Sequence, residues 1–345
     1  MRWRALIAAL LTGGLLVPAS AATADDGRPF VFRSPSITES SGLVDLGGVM
    51  VTTNDSGNPS ILFTVSPVSG KTVGVTDFHT RTQDVEALAP GGRGRVWVGD
   101  IGDNDGKRKS ISVMRVRVGF GRIDAHPTVY RLAYPSGHHD AESLVRDRQG
   151  RLYVITKSVT GGTVYRAPLV LSSKRVNRLQ PAGHVIEYAT DAAMLPSGRH
   201  VIVRGPERAS VYTFPAFKWI GSFVLPRQRQ GEGISVGPGR RIRLSSEGVR
   251  SPVREVAMPA ALVRRMQPAP PAPSPSPSAS PSPSPSASAS PSESPGPSRG
   301  EAASRPAGNA DPQADGVDPW LIWSIPAVIV LGAVGIGFGL RRRSE

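Results

Sequence analysis

The chain has 345 residues, 33 of them proline, with a formal net charge of +14 and no cysteine. The missing thiols exclude a disulfide scaffold, a cysteine-ligated zinc finger, an iron–sulfur centre and thiol catalysis. Hydrophobic residues at 39 % and aromatics at 6 % are lean for one globule of this length, so the polar excess is expected to be local. Arginine-, alanine- and proline-rich usage suggests a bacterial genome of high G+C content; only six of the 41 basic residues are lysines.

Residues 1–24 have the build of a secretory signal peptide. Arg2 and Arg4 form a basic start, residues 5–17 are uncharged and apolar, and Ala19-Ser20-Ala21 and Ala22-Thr23-Ala24 offer cleavage sites. The apolar run is too short to cross a bilayer core of about 30 Å.

Residues 25–266 form one domain of repeated pattern. Five segments each read as a short apolar strand, a glycine-rich turn and a second apolar strand. They are ESSGLVDLGGVMVTTND from Glu39, DVEALAPGGRGRVWVGDIG from Asp84, DAESLVRDRQGRLYVITKS from Asp140, DAAMLPSGRHVIVRGPE from Asp191 and QGEGISVGPGRRIRLSSEG from Gln230. The anchoring residues Leu43, Leu88, Leu144, Leu195 and Ile234 lie 45, 56, 51 and 39 apart. A third β-like run follows every pair and a fourth closes four of the five units. Four short strands in each unit of about 40–50 residues is the sequence form of a β-propeller. The last unit lacks its outer strand, and Pro29-Phe30-Val31-Phe32 lacks a partner, so the N-terminal run is expected to close the ring. The fold expected is all-β with five blades, or six if the 56-residue unit hides a degenerate one. Trp97, Tyr153 and Tyr212 fall at packing positions.

Acidic residues recur at equivalent places. Four before the anchors stand Glu39, Asp84, Asp140, Asp191 and Gln230; two before stand Ser41, Glu86, Glu142, Ala193 and Glu232. Residues two apart on a strand face the same way, so these pairs point toward one mouth of the channel. Asp55, Asp100, Asp103, Asp105 and Glu247 follow the second strands. Crowded carboxylates need protons or cations, and Ca²⁺ takes six to eight oxygen ligands in flexible geometry. The metal-ligand candidates are Asp84, Glu86, Asp100, Asp103, Asp105, Asp140, Glu142, Asp191, Glu232 and Glu247. The competing reading is that these acids cap turns and lock blade to blade.

DVEAL, DAESL and GEGIS, each followed by a strand and a short acidic or polar turn, resemble the D-x-E-G inner-strand motifs of secreted β-propeller phytases. They also resemble the broader bacterial family of proteins described as having esterase-like activity of phytase. The resemblance spans residues 37–258. It implies a propeller and calcium, with Glu86, Glu142 and Glu232 as calcium ligands beside Asp84, Asp140 and Asp191. The chain departs from those enzymes in lacking an Asp-Asp-Pro-Ala stretch, in Ala193, and in its five units against six blades, so phytate cleavage is not carried over.

His138-His139 could ligate a metal or shuttle a proton, or simply lie in a solvated loop. Lys157, Arg204 and Arg243 could hold a phosphate or pair with neighbouring acids. Arg227, Arg229, Arg240 and Arg241 make the last unit basic, suited to an anionic envelope polymer, a small anionic ligand or lipid head groups, or merely solvated. From 267 to 319 the composition collapses into Pro, Ser, Ala and Gly, a disordered stalk. Residues 320–340 carry no charge, long enough as a helix to reach about 31 Å, and Arg341-Arg342-Arg343 follows at once. The expected organisation is therefore a monomeric propeller outside the cell, held by a single membrane span with residues 341–345 inside. Export argues against nucleic acid. Three function classes stay open: a binding module with a calcium-organised mouth, a calcium-dependent phosphoester or ester hydrolase, and a structural envelope component.

Overall fold

A computed structural model describes residues 28–267 apart from Ser56. The expected signal peptide, the expected stalk beyond Gln267 and the expected membrane span lie outside these residues, and among the described residues no helix is long and apolar enough to cross a membrane.

The chain opens with β1 (Phe30–Val31) and then builds blade 1 from β2 (Ser40–Asp45), β3 (Met50–Asn54), β4 (Ile61–Val65) and β5 (Thr72–Asp77). Blade 2 is β6 (Val85–Pro90), β7 (Arg95–Asp100), β8 (Ile111–Arg117) and, after the excursion β9 (Gly121–Asp124), β10 (Val129–Ala133). Blade 3 is β11 (Ala141–Arg146), β12 (Leu152–Thr156), β13 (Gly162–Arg166) and, after the short β14 (Asn177–Arg178), β15 (Gln180–Val185). Blade 4 is β16 (Asp191–Met194), β17 (His200–Arg204), β18 (Arg208–Thr213) and β19 (Trp219–Val224). Blade 5 is β20 (Gly231–Val236), β21 (Ile242–Ser246) and β22 (Pro252–Val256), completed by β1. A six-residue helix, α1 (Ala260–Arg265), follows and buries Leu262 against blade 4.

The architecture is a five-bladed propeller. Each inner strand packs on the next, β2 on β6, β6 on β11, β11 on β16, β16 on β20, and β20 returns to β2. The ring closes as the sequence suggests, with Phe30 opposite Val253 and Val31 opposite Pro252 in antiparallel register. The long second unit hides no sixth blade. Its extra residues form β9, which leaves blade 2 and pairs in parallel with β5 of blade 1, Gly74 to Asp77 opposite Gly121 to Asp124. Likewise β14 leaves unit three and pairs in parallel with β10.

The second strands explain why the blades read as apolar runs rather than alternating ones. Every residue of β3, β12, β17 and β21 is buried, because neighbouring blades cover both faces. The hydrophobic interior is accordingly divided into five cores, one between each pair of adjacent blades. All five anchors are nearly fully buried. At the axis they leave a cavity of only ≈ 30 Å³, lined by Leu43, Leu88, Leu144, Ala193 and Ile234 among others. That is too small for anything but a water, so ligand chemistry belongs at the ends of the ring.

Candidate functional site

Inner strands begin, and second strands finish, at the same end of the ring. That end gathers the acids. Four inner strands carry a β-bulge there, between Ser40 and Leu43, Val85 and Ala87, Ala141 and Ser143, and Gly231 and Ile234. The residues spared ladder pairing include Ser41, Glu86, Glu142 and Glu232. A bulge re-aims the side chain of its extra residue, which is how a buried strand can present a carboxylate to the mouth.

The inner strand of blade 4 pairs without a bulge, and this changes the meaning of Asp191. Counting back from Leu195 sets Asp191 level with Asp84 and Asp140. Strand pairing sets it one position further on: it lies opposite Arg204, as Val85 lies opposite Asp100 and Ala141 opposite Thr156. Asp191 is fully buried; its Oδ1 accepts from its neighbour Ala192 N at 2.8 Å and its Oδ2 from Ile234 N at 2.8 Å, tying blade 4 to blade 5. Burial pushes its carboxyl well above the usual range, against the pull of those two amides.

Several other acids also have intramolecular work. Asp100 Oδ1 accepts from Asp84 N at 2.8 Å, its Oδ2 from Ser112 Oγ at 2.9 Å, and Arg108 Nη1 lies 3.0 Å away. Asp103 caps its turn through Lys107 N and Arg108 N. Asp140 Oδ1 accepts from Asp103 N at 2.8 Å, joining blades 2 and 3. Asp105 stands exposed beside Lys107. Glu247 accepts from Gln230 Nε2 at 2.6 Å.

The remaining acids form the mouth itself. Asp55, Asp84 and Glu86 each bring a carboxylate oxygen within 4.8 Å of the other two. Asp55 follows β3, in a turn whose acid was visible in the sequence but not counted among the ligand candidates. Glu86 is 5 % exposed, accepts from Ser41 Oγ at 3.0 Å, and is pushed up to about 10 by burial and by Asp55, Glu142 and Asp84. Glu142 is equally buried and forms an ion pair with Lys157. Its Oε2 has no hydrogen-bond partner among the described residues. Burial raises Glu142 to about 8 despite the ammonium beside it. Glu232 is raised to about 7 by burial, partly offset by Lys157. Glu247 is raised by burial, Asp55 and Glu39. For Lys157, burial favours the neutral amine, but Glu142 outweighs it and the ammonium persists.

Lys157 therefore stands among acids as their counter-ion. The other two basic residues considered for phosphate are also engaged. Arg204 is fully buried and donates to Gly233 O, Ser245 O and Gln228 Oε1. Arg243, 1 % exposed, pairs with Asp45 at 2.9 Å across the ring closure. His138 contacts Arg108 O, while His139 contacts Ser136 O and Tyr165 Oη and packs edge-on against Tyr134. Tyr153 and Tyr212 are buried and Trp97 is half-buried, as their packing positions suggest.

A cleft of ≈ 790 Å³ adjoins the mouth between blades 4 and 5. Lys157 and Glu232 lie at its acid end, and Tyr188, Glu207, Arg227 and Arg229 line it elsewhere.

No family model matches the chain, and no curated protein matches it. Among solved structures it is similar to the PQQ-bound form of an aldose sugar dehydrogenase from Streptomyces coelicolor, at 10 % identity, 67 % of this chain, 99 % of that one and a TM-score of 0.40. It is similar to a gluconolactonase from Xanthomonas campestris at 11 % identity, 69 % and 93 % coverage and a TM-score of 0.42. It is also similar to a virginiamycin B lyase from Staphylococcus aureus at 10 % identity, 69 % and 75 % coverage and a TM-score of 0.36. No phytase is among these three.

Proposed function

We propose that the chain is a membrane-anchored propeller at the bacterial surface, and that it binds its ligand at an acidic mouth organised by Ca²⁺. The observation that carries the calcium reading is the convergence of Asp55, Asp84 and Glu86 within 4.8 Å. Oxygens bound to one Ca²⁺ at about 2.3–2.6 Å can be that far apart, and a set made only of carboxylates suits a hard cation. Glu142 Oε2, buried beside this group with no hydrogen-bond partner among the described residues, is a further acceptor. These residues would hold the ion, whose charge would offset the burial and the repulsion that together keep Glu86 protonated near pH 7. The address is supported by residues 1–24, 267–319 and 320–340 of the sequence.

Thermal unfolding in EDTA and in millimolar Ca²⁺ tests this reading. A cation that binds only the folded form at 100 times its Kd adds about 2.7 kcal/mol, which raises Tm by several degrees. Glu86→Gln with Asp55→Asn should abolish that shift. Equal melting points of the unaltered protein in both buffers would sink the calcium site.

A hydrolase is the second reading, favoured by one observation. Glu232 lines the cleft and titrates at about 7, where a carboxyl can both give and take a proton. Release of nitrophenol from nitrophenyl esters or phosphates, lost in Glu232→Gln, is the outcome that this reading requires.

A further inference from the structure

We infer that the cleft between blades 4 and 5 is an oxyanion site, which takes a phosphate or carboxylate group attached to an organic body. This rests on the reading of the chain as a binding module but not on its calcium.

The cleft is walled by the strand-leaving segment at 225–230 and by the turn at 205–207. Arg227 and Arg229 stand two apart on the first wall, both exposed, and neither makes a hydrogen bond or ion pair with another described residue. Other buried or half-buried cations at this end are committed: Lys157 to Glu142, Arg108 to Asp100, Arg204 to three carbonyl oxygens.

Between the two arginines, Gln228 fixes the segment. Its Oε1 accepts from Arg204 Nη2 at 2.7 Å, and Arg204 is itself immobilised by Gly233 O and Ser245 O. That bond leaves Gln228 Nε2 turned the other way, buried and without an acceptor among the described residues. Two guanidinium groups thus line one wall with no acceptor among the described residues, and the buried Gln228 amide behind them holds the segment that carries them. Guanidinium forks match the planar or tetrahedral oxygens of carboxylate and phosphate.

The other walls define the rest of the ligand. Lys157 Nζ lies 5.0 Å from the Tyr188 ring centroid and covers one face of that ring. Tyr188 is nevertheless 43 % exposed and Val224 75 % exposed, so what they leave open offers apolar surface for a ring. Glu207 on the far wall and Glu232 at the acid end repel a second anion and would accept from hydroxyls instead. The charge pattern therefore sets a polarity: oxyanion toward Arg227 and Arg229, ring over Tyr188, hydroxyl groups toward the acids.

Titration calorimetry on the full-length chain tests this with phenyl phosphate, benzoate, inorganic phosphate and phenol. The expected result is binding of phenyl phosphate or benzoate, no binding of phenol, and at least a tenfold loss in Arg227→Gln/Arg229→Gln. A glycerol phosphate oligomer separates the two sources of the chemistry: binding tighter than the monoester identifies a polymer strand, and weaker binding a small ester. Phenol binding as well as phenyl phosphate, no oxyanion binding at 10 mM, or an unaffected double variant would each overturn the site. Measuring the Ca²⁺-dependent Tm shift on the same double variant separates this outcome from failure of the calcium reading, because neither arginine touches the Asp55, Asp84 and Glu86 group.

Discussion

Arg243 and Asp45 show how a charged residue can belong wholly to the fold. Both side chains are 2 % exposed or less, 2.9 Å apart, and they join blade 5 to blade 1 where the ring closes. Two charges taken from water repay their desolvation only while both are present. Arg243 Nη2 also lies 3.4 Å from Glu255, which keeps partial access to water. Arg243→Met should therefore leave chiefly the buried Asp45 uncompensated and cost about 3–5 kcal/mol, whereas Arg243→Met with Asp45→Leu should recover part of that loss. Chemical denaturation of the two variants checks it; equal stability of the single and double variants would contradict the pairing. Glu142 and Lys157 differ in kind, because Glu142 keeps one oxygen without a hydrogen-bond partner among the described residues and Lys157 also feels Glu232. The first pair is closed to ligands and the second is open, although the sequence presents all four as ordinary charges.

Among the elements, β9 is the most exposed to a single substitution. It lies beside β5 so closely that a Cβ on Gly74 would stand 1.8 Å from Gly119 O. Gly74→Ala should displace β9 from blade 1 and lower stability by about 1–3 kcal/mol, the usual cost of overpacking. Faster amide exchange across residues 121–124 is the expected sign, and unaltered protection there would exclude this role for Gly74. Much of the rest was legible from the chain alone. Anchors, turns and second strands repeat in type and order, so five blades and the closing strand could be read from period and pattern. What period could not reveal was register. Bulges at Glu86, Glu142 and Glu232 and none at Asp191 depend on how each strand meets its neighbour, and a one-residue slip turns a mouth carboxylate into a buried tie between blades. Asp55 is missing from the ligand candidates for a similar reason: repeat position does not say which side chains meet across blades, and it is the packing of β2 on β6 that brings the turn after β3 against Asp84 and Glu86 of blade 2.

At the scale of the whole ring, the acid mouth stores protons, and that makes stability depend on pH. Glu232 and Glu142, ordinarily near 4.5, titrate at about 7 and 8 in the folded protein because burial disfavours their charge. A raised carboxyl holds its proton in the folded form after the unfolded chain has released it. Its stabilisation is complete below about 4.5 and is lost as pH climbs through the folded value. Between pH 6.5 and 9 ordinary carboxylates are already ionised. His200, held below its usual value by burial, is largely neutral in both states there, so its opposite contribution lies at lower pH. In EDTA the melting temperature should therefore fall from pH 6.5 to 9, and Glu142→Gln with Glu232→Gln should lessen the slope, most of all below pH 8. Glu86, raised to about 10, adds to the fall across this whole window and continues it above pH 9, so the double variant keeps part of the slope. A flat profile for the unaltered protein, or an unchanged slope in the double variant, would mean that these carboxyls are already ionised and satisfied at neutral pH. The mouth would then need no cation to relieve it, so this profile tests the electrostatic premise on which the calcium reading stands.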